Sequence, residues 1–221
     1  MQLTADMLLR AYALGIFPMA ENSSAKELHW IDPEMRGILP LDAVHVPRKL
    51  RRRILRQDFR VTCNQAFPEV IRACAEPAVD RPETWINDTI KQLYTELNRM
   101  GMAHSIECWQ SDEAGRPYLV GGLYGVSLGT VFFGESMFSR CSDASKVALI
   151  HLVLRLRRSD FTLLDTQFTT PHLRQFGGIE IPREHYKALL SRALKDNAVL
   201  CEEIDPEELP GLLEELKRES G

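Results

Sequence analysis

Several features are missing from the 221-residue sequence, and each absence excludes a class of protein. No run of about 18 apolar residues occurs, which excludes a transmembrane helix. The first residues lack the basic and then apolar segments of a signal peptide, so we expect a cytoplasmic protein that does not contact a membrane. The five cysteines are odd in number and scattered, which fits neither a disulfide framework nor a zinc knuckle and predicts reduced, mostly buried thiols.

The motifs of several common enzyme sites are also missing. Residues 134–138 lack the last glycine of the G-x-S-x-G nucleophile elbow, and the sequence has no P-loop string to bind a nucleotide phosphate. The six histidines occur singly, without an H-E-x-x-H pair. We therefore predict neither a metal site nor a serine triad.

What the sequence contains is the composition of a globular protein, with 44% hydrophobic and 26% charged residues. Its length suits one domain of ordinary size, or one with a small appendage. The formal charge of -4 conceals an asymmetry, because residues 196–221 contain nine acids and two bases. We call these residues the acidic tail. Without its net charge of -7, the rest of the chain carries +3.

A dense group of basic residues lies between residues 48 and 60, with seven bases and one acid. This density is typical of surfaces that neutralise phosphates, and it favours contact with a nucleic acid. The alternative is an amphipathic helix with a solvated basic face. The acidic tail is expected either to lie away from this surface or to fold over it and compete with the nucleic acid. We call the group the basic cluster: Arg48, Lys49, Arg51, Arg52, Arg53, Arg56 and Arg60.

The spacing of apolar residues predicts four helices, in residues 4–15, 84–100, 144–158 and 182–194. Thr4 is expected to cap the first helix and Gly15 to end it. Ser142 or Asp143 is expected to cap the third helix. A polar, proline-containing stretch between the first two helices is interpreted as the junction of a small N-terminal piece with the main domain.

Strand-like runs follow the second helix, in residues 104–109, 118–126 and 129–134. A turn at residues 127–129 is expected to join the last two runs. A further short, buried strand is predicted at residues 161–165, between the third and fourth helices. This order of elements predicts an α+β sandwich.

The segment from residue 121 to 140 is rich in glycine and apolar residues and contains one acid, Glu135. Repeated glycines within strands mark either the close approach of a ligand or a bulged hairpin in a core, and both interpretations stay open. A carboxylate in such apolar surroundings needs a partner. Arg140 or a bound cation is expected to be that partner.

Asp165 ends the last predicted strand, and Gln167 follows two residues later, so both side chains are expected on one face. Asp165 is either a turn cap or a catalytic carboxylate. Trp30 and Trp85 are either core residues, the commoner case, or stacking platforms.

Eight motifs in one consistent order, over about residues 8 to 190, resemble the leucyl/phenylalanyl-tRNA–protein transferase family. The motifs are YALGIFP at 12–18, WIDP at 30–33, TWI at 84–86, GMAHSIE at 101–107, GGLYG at 121–125, GESMFSR at 134–140, ASK at 144–146 and LDTQ at 164–167.

The resemblance implies an enzyme that moves Leu or Phe, and Met less well, from aminoacyl-tRNA to the α-amine of proteins with N-terminal Arg or Lys. This transfer marks those proteins for N-degron degradation. It also implies a small N-terminal domain (residues 1–37), followed by a GCN5-related acetyltransferase-like α/β sandwich domain (residues 38–221). No cofactor is expected, and the protein is expected to act as a monomer. The basic cluster is then expected to bind tRNA.

Site residues are implied by matching positions. Asp165 and Gln167 resemble the catalytic pair, with Asp165 expected to orient and polarise Gln167, and Glu135 resembles the acid of the acceptor and aminoacyl site. Tyr12 matches a substrate-binding position, and Trp85 matches a contact to the terminal adenosine of tRNA. Residues at the positions of the donor side-chain pocket are Leu123, which replaces a methionine, Phe132 and Met137. Departures from the family pattern are Met19, Thr170 and Pro171.

Two functions compete with this interpretation. An acyl-CoA-dependent N-acetyltransferase would share the fold, but the nearest match to its CoA-binding loop, RQFGGI at residues 174–179, has the wrong last residue. A non-catalytic RNA-binding module would explain the basic cluster but not the placement of Asp165 and Gln167 beside a glycine-rich segment. A more distant aminoacyltransferase with acidic N-terminal acceptors is disfavoured by the order of the motifs.

Overall fold

The computed structural model describes residues 3–20, 22, 25, 28–77, 84–201 and 203–219. Its helices are α1 (Ala5–Ala13), α2 (Arg48–Leu55), α3 (Phe67–Ala75), α4 (Asp88–Arg99), α5 (Ala144–Arg158), α6 (Pro171–Arg174), α7 (Arg183–Ala193) and α8 (Leu209–Glu219). Its strands are β1 (Phe17–Met19), β2 (His29–Ile31), β3 (Met35–Ile38), β4 (Arg60–Cys63), β5 (Ala103–Ser111), β6 (Pro117–Leu128), β7 (Val131–Ser139), β8 (Leu163–Gln167) and β9 (Ile179–Pro182).

A seven-stranded sheet, in the order β4-β5-β6-β7-β8-β3-β9, forms the centre of the molecule. Its neighbours pair antiparallel except for β7 and β8, which are parallel and are connected through α5, as a parallel pair requires a crossover. β1 and β2 form a separate two-stranded sheet near the N-terminus. This arrangement confirms the predicted α+β class.

Each face of the large sheet carries its own apolar core. We call one the α5 face, where α2, α5 and α8 pack, and the other the α4 face, where α1, α3, α4 and α7 pack. Successive side chains of β7 alternate between them, with Phe132 on the α5 face and Val131 and Phe133 on the α4 face. The two faces determine which functional side chains can meet.

The predicted helices are present, with one boundary corrected. The helix predicted from residue 84 begins at Asp88, because the side chain of Asn87 accepts the Ile90 N–H at 2.9 Å and caps it there. Thr4 caps α1 as expected. Helix α5 has the predicted bounds, but neither predicted residue caps it with its side chain: Asp143 is the N-cap residue and instead forms ion pairs with Arg53 and Lys146.

The predicted meander of three strands is confirmed as β5, β6 and β7. The turn between β6 and β7 lies at residues 129–130 instead of 127–129, because β6 continues to Leu128. The following strand, β8, is two residues further along than predicted. The predicted domain boundary after residue 37 falls inside β3 and stays a prediction, as does the likeness to the acetyltransferase fold.

The remaining expectations about the chain as a whole concern its thiols and membranes. All five cysteines lie in the described part of the chain and none of them forms a disulfide, and Cys63, Cys74 and Cys108 are buried. The expectation of reduced, mostly buried thiols is therefore confirmed. No helix among the described residues is both long and apolar enough to cross a membrane.

Candidate active site

A β-bulge positions Glu135. Gly125 pairs with Gly134 and Tyr124 pairs with Ser136, so Glu135 is the extra residue of β7 between the two pairs. A bulge redirects side chains locally, and here the carboxylate points to the α4 face between α1 and α4. Gly125 permits this arrangement, since a Cβ atom there would lie 2.3 Å from the Phe133 carbonyl oxygen. The glycine-rich segment is thus a bulged hairpin that carries a polar site.

Glu135 accepts three hydrogen bonds. Tyr12 Oη donates to its Oε1 at 2.6 Å, Tyr94 Oη donates to Oε2 at 3.0 Å, and Gln167 Nε2 donates to Oε1 at 2.9 Å. The expectation that Arg140 is the partner is wrong, because Arg140 pairs with Glu76 at 2.8 Å on the protein surface. The protein partners of this carboxylate are therefore neutral hydrogen-bond donors.

Glu135 titrates close to neutrality. Burial of the carboxyl raises its pKa to about 7, with a further raising contribution from the charge of Asp165, against the lowering effect of its hydrogen bonds from Tyr12, Tyr94 and Gln167. Burial, together with the charge of Glu135, raises the pKa of Tyr12 and of Tyr94 well above the usual value, so both phenols stay protonated and act as donors.

Asp165 is completely buried, and donors surround it. Arg36 donates to it twice, from Nε at 2.9 Å and from Nη2 at 2.6 Å, and Tyr186 Oη donates at 2.7 Å. The backbone N–H of Gln167 donates at 2.8 Å. The contact from Asp165 to Gln167 is thus to the Gln167 backbone rather than to its side chain. These four donors occupy the acceptor sites of one carboxylate.

Gln167 adopts the left-handed conformation, with a φ of 61°. Its side chain lies on the same face of the sheet as that of Asp165, as predicted, and this is the α4 face. There Nε2 donates to Glu135 and to the Gly134 carbonyl at 3.1 Å. Among the described residues, none donates a hydrogen bond to Gln167 Oε1, so this oxygen is available to a substrate N–H. Gln167 thus joins β8 to the bulge of β7.

Gly37 gives the backbone after Gln167 the space that it needs. A Cβ atom at Gly37 would lie 2.5 Å from the Phe168 carbonyl carbon and 2.8 Å from the Thr169 nitrogen. Gly37→Ala is therefore expected to lower the free energy of unfolding by roughly 1–3 kcal/mol, as overpacking does. Urea denaturation measures the change. Gly134→Ala is the control, because its new Cβ would have only the Asp165 carbonyl oxygen nearby, at 3.4 Å, and an equal loss in both variants would contradict the expectation.

The residues predicted to bind the donor side chain lie on the opposite side of the sheet. Leu123 and Phe132 are buried in the α5-face core, and Met137, the register partner of Leu123, packs against it. Strands β7 and β8 pair only as far as Phe133 and Asp165. Beyond that point the two strands no longer pair. Their connection there is a side-chain contact, in which the amide of Gln167 in β8 donates to the carbonyl of Gly134 in β7.

Comparison with known proteins supplies the family. A model described as leucyl/phenylalanyl-tRNA protein transferase matches residues 38–191, and the model of that family's N-terminal domain matches residues 1–34. The leucyl/phenylalanyl-tRNA–protein transferase of Paramagnetospirillum magneticum is 58% identical over 196 residues, which cover 89% of this chain and 91% of that protein. The chain belongs to this family. It is therefore an aminoacyltransferase that uses aminoacyl-tRNA and a protein as substrates, and the alternative of a non-catalytic RNA-binding module is wrong.

The two tryptophans of the family motifs differ in their surroundings. Trp85 is partly exposed and packs against the α4-face core just before the Asn87 cap of α4. Trp30 is 42% exposed on β2, so its interpretation as a core residue is wrong. At two of the positions that depart from the family pattern, Thr170 caps α6 by accepting the Leu173 N–H, and Pro171 follows as the first residue of α6.

The basic cluster lies on α2 and the residues after it. Leu50 and Ile54 anchor α2 in the α5-face core. Members of the cluster that lie exposed to solvent are Arg48, Lys49, Arg52, Arg56 and Arg60. Arg51 pairs with Glu214 of α8 at 2.7 Å, and Arg53 pairs with Asp143 at 3.1 Å. The exposed members are the ones that a polyanion can reach.

The acidic tail folds against one flank of the basic cluster. Helix α8 packs beside α2 and buries three leucines: Leu209, Leu213 and Leu216. Glu208 also forms an ion pair with Arg158 at the end of α5. Of the two expected positions, the structure thus shows the tail in contact with the cluster, while most of the cluster stays exposed. The tail lies beyond the residues that the family models match.

Three residues of the polar site have contacts that the sequence does not predict. Arg36 lies in a four-residue strand that has no recognisable pattern, and it pairs with a residue 129 positions away. Tyr94 falls on the apolar face of the second predicted helix, where its spacing marks it as a core residue. Tyr186 falls on the apolar face of the fourth predicted helix, but its hydroxyl contact to Asp165 has no sequence signal. Within the described ranges, no three His, Cys, Asp or Glu side chains come together as a metal site.

Proposed function

We propose that the protein moves Leu or Phe, and Met less well, from aminoacyl-tRNA to the α-amine of proteins with N-terminal Arg or Lys, which marks them for N-degron degradation. One observation carries this proposal. The carboxylate of Glu135 and the amide of Gln167 lie 2.9 Å apart, at the point where β7 and β8 stop pairing. The apolar residues Leu123, Phe132 and Met137 lie on the other face of the sheet. The expectations of a monomer in the cytoplasm stay predictions.

The acceptor side of the reaction needs an anion for the Arg or Lys side chain. Glu135 is partly exposed and accepts three hydrogen bonds, so it keeps acceptor capacity for a guanidinium or an ammonium group. Asp165 is fully buried and already surrounded by four donors, so it cannot take this role. A charge-assisted hydrogen bond to ionised Glu135 would select a basic first residue.

The donor side needs an apolar pocket for Leu or Phe. Leu123, Phe132 and Met137 are the candidates, and their location on the α5 face requires the aminoacyl group to reach them where β7 and β8 separate. The ester carbonyl would then remain beside Gln167. A hydrophobic pocket of this kind distinguishes one methylene by only about 1–3 kcal/mol, which is compatible with acceptance of several unbranched-at-Cβ side chains.

The reaction that these groups support is direct aminolysis without an acyl-enzyme. The α-amine has an ordinary pKa near 7.7–8.0 and is partly neutral near pH 7, and the donor is already an activated ester. The nitrogen attacks the ester carbonyl carbon, the bond from that carbon to the ribose oxygen breaks, and the amine proton passes to that oxygen. Gln167 Oε1 accepts an N–H of the attacking amine and thereby orients it, while Asp165 holds the Gln167 backbone. Holding both reactants together supplies much of the rate.

A four-peptide assay tests the proposal. The protein is incubated with labelled leucyl-tRNA and peptides that begin with Arg, Lys, Asp or Ala. We expect label on the Arg and Lys peptides. Label on the Asp peptide would indicate acidic acceptors and contradict the proposal, and binding of acetyl-CoA in calorimetry would support the acetyltransferase alternative instead.

The exposed part of the basic cluster is expected to bind tRNA phosphates. Replacing Arg48, Lys49 and Arg52 together by Ala should weaken binding of leucyl-tRNA, and the logarithmic salt dependence of binding should become shallower by about one for each phosphate that the variant no longer neutralises. A filter-binding titration at several salt concentrations measures both. Arg192→Ala on α7, an exposed base on the α4 face, is the control. A salt dependence identical to the wild type would exclude this surface.

The ion pair between Arg51 and Glu214 is expected to restrain tRNA binding. Glu214→Gln frees Arg51 for a phosphate and should tighten binding by up to about fivefold at low salt, because an exposed ion pair contributes roughly 0.2–1 kcal/mol. This substitution leaves the three buried leucines of α8 in place, which deletion of the tail would not. Glu215→Gln changes the same charge on the same helix and serves as the control. Equal tightening in both variants would show an effect of net charge alone.

A further inference from the structure

Arg36 is a buried arginine with contacts from several elements. Its side chain is 1% exposed, and its guanidinium lies between the rings of Phe17 and Tyr186, 4.6 and 4.5 Å from their centroids. Nη1 donates to the Gly15 carbonyl at 3.1 Å, and Nε and Nη2 donate to the two oxygens of Asp165. Two aromatic faces, one carbonyl and one carboxylate thus hold the guanidinium in a single orientation.

Asp165 in turn contacts Gln167, whose side chain lies at the proposed site of reaction. The Asp165 oxygen that accepts Arg36 Nε also accepts the backbone N–H of Gln167. Gln167 has a φ of 61°, a conformation that a residue with a side chain keeps only when its surroundings impose it. Its side chain then reaches Glu135 and the Gly134 carbonyl. A shift of the Asp165 carboxylate would therefore move the Gln167 amide.

We propose that Arg36 is a positioning residue for aminoacyl transfer, which holds Asp165 through a forked contact so that Gln167 stays directed at the amine. This inference rests on the proposed role of Gln167. Arg36 has no access to the substrate, since it is buried behind Asp165, Phe17 and Tyr186. Its effect reaches the reaction only through Asp165 and Gln167.

This role requires the paired contacts from Arg36 Nε and Nη2 to the two Asp165 oxygens, and not only the positive charge of Arg36. Guanidinium presents two parallel N–H donors that match the two carboxylate oxygens, whereas the ammonium of lysine is a point charge. Arg36→Lys therefore keeps a cation next to Asp165 and the fold that depends on it, but it lets the carboxylate rotate. Arg36→Gln removes the cation as well.

The test compares Arg36→Lys and Arg36→Gln with Arg155→Gln. Arg155 is a buried arginine on α5, 2% exposed and outside the polar site, so Arg155→Gln reproduces the loss of a buried cation. Single-turnover transfer of Leu to an Arg peptide, the Kd of leucyl-tRNA and the urea midpoint are measured for each. We expect Arg36→Gln to slow transfer on the order of 100-fold, the effect of a misplacement of about 1 Å at a reacting centre. Arg36→Lys should be slowed less, and tRNA binding should not change.

Each outcome decides the question. A slowed but folded Arg36→Lys variant with wild-type tRNA affinity supports positioning, even if Arg36→Gln does not fold. Transfer by Arg36→Lys at the wild-type rate would show that the paired contacts from Arg36 to Asp165 are not required, and would overturn the proposal. Equal slowing in Arg155→Gln would show a general loss of stability and overturn it too. If the wild type itself fails to label the Arg peptide, the proposed function fails, which is a separate result from a fast Arg36 variant.

Discussion

Gln167→Ala is expected to slow transfer of Leu from tRNA to an Arg peptide on the order of 100-fold, the effect of losing a contact that orients the amine at the reacting centre. The substitution removes the oxygen that accepts the amine N–H and the amide that bridges β8 to Glu135 and to the Gly134 carbonyl. Because alanine retains the backbone N–H, the contact to Asp165 can persist and the buried ion pair with Arg36 is not broken. Single-turnover kinetics at saturating leucyl-tRNA measure the effect on the chemical step.

Gln175→Ala is the matched control for this variant. Gln175 is an exposed glutamine directly after α6, and its amide donates to the His172 carbonyl at 2.8 Å, away from Glu135. We expect this variant to transfer Leu at the wild-type rate, and both variants to bind leucyl-tRNA as the wild type does. A Gln167→Ala variant with the wild-type rate, or one that loses only tRNA affinity, would exclude Gln167 from the reaction.

Glu135→Gln is expected to reduce the use of Arg peptides far more than the use of the donor. Hydrogen bonds to charged groups contribute about 1.5–3 kcal/mol, so kcat/KM for an Arg peptide should fall roughly 10- to 150-fold. The amide keeps the shape of the side chain, and its oxygen can still accept from Tyr12 and Gln167, while its new NH2 group can donate to the hydroxyl oxygen of Tyr94. Steady-state kinetics with varied peptide, together with the Kd of leucyl-tRNA, separate the two substrates. Glu76→Gln, which removes a surface carboxylate, is the control.

The pH dependence of the same parameter gives an independent readout of Glu135. Burial raises the pKa of this carboxyl to about 7, so it is protonated and neutral below that pH and ionised above it. In the wild type, kcat/KM for Arg peptides should therefore rise as pH increases through about 7. The Glu135→Gln variant should lose this step and keep the one from the peptide α-amine, near pH 7.7–8.0. An unchanged profile, or an equal loss for donor and acceptor, would assign Glu135 to another role.

Local patterns in the sequence are sufficient to predict helix α5 and the meander of strands β5, β6 and β7. Helix α5 and strands β5 to β7 follow from apolar spacing and turn residues, because each depends on neighbours within a few positions. The apolar pattern places the start of α4 too early, because the side chain of Asn87 caps the helix and fixes where it begins. Boundaries of this kind depend on a single capping contact.

The contacts within the site were beyond reach of local patterns. The sequence marks Glu135 as an isolated acid that needs a partner, but its phenol partners Tyr12 and Tyr94 are 123 and 41 residues away. The bulge that turns Glu135 toward them depends on the register of β6 against β7. Asp165 and Gln167 were identified as a pair from the motif, yet their contact through the Gln167 backbone follows from a left-handed residue that no composition signal marks. Long-range pairing and local strain therefore account for most of what was missed.

The most direct test of the central claim is a rapid-quench single turnover of labelled leucyl-tRNA with an Arg peptide and with the same peptide acetylated at its α-amine. Direct aminolysis next to Glu135 and Gln167 predicts that label passes from tRNA to the free-amine peptide in one phase, with no label on the protein at any time and none on the acetylated peptide. Label that accumulates on the protein before it reaches the peptide, or that appears on the acetylated peptide, would contradict the claim.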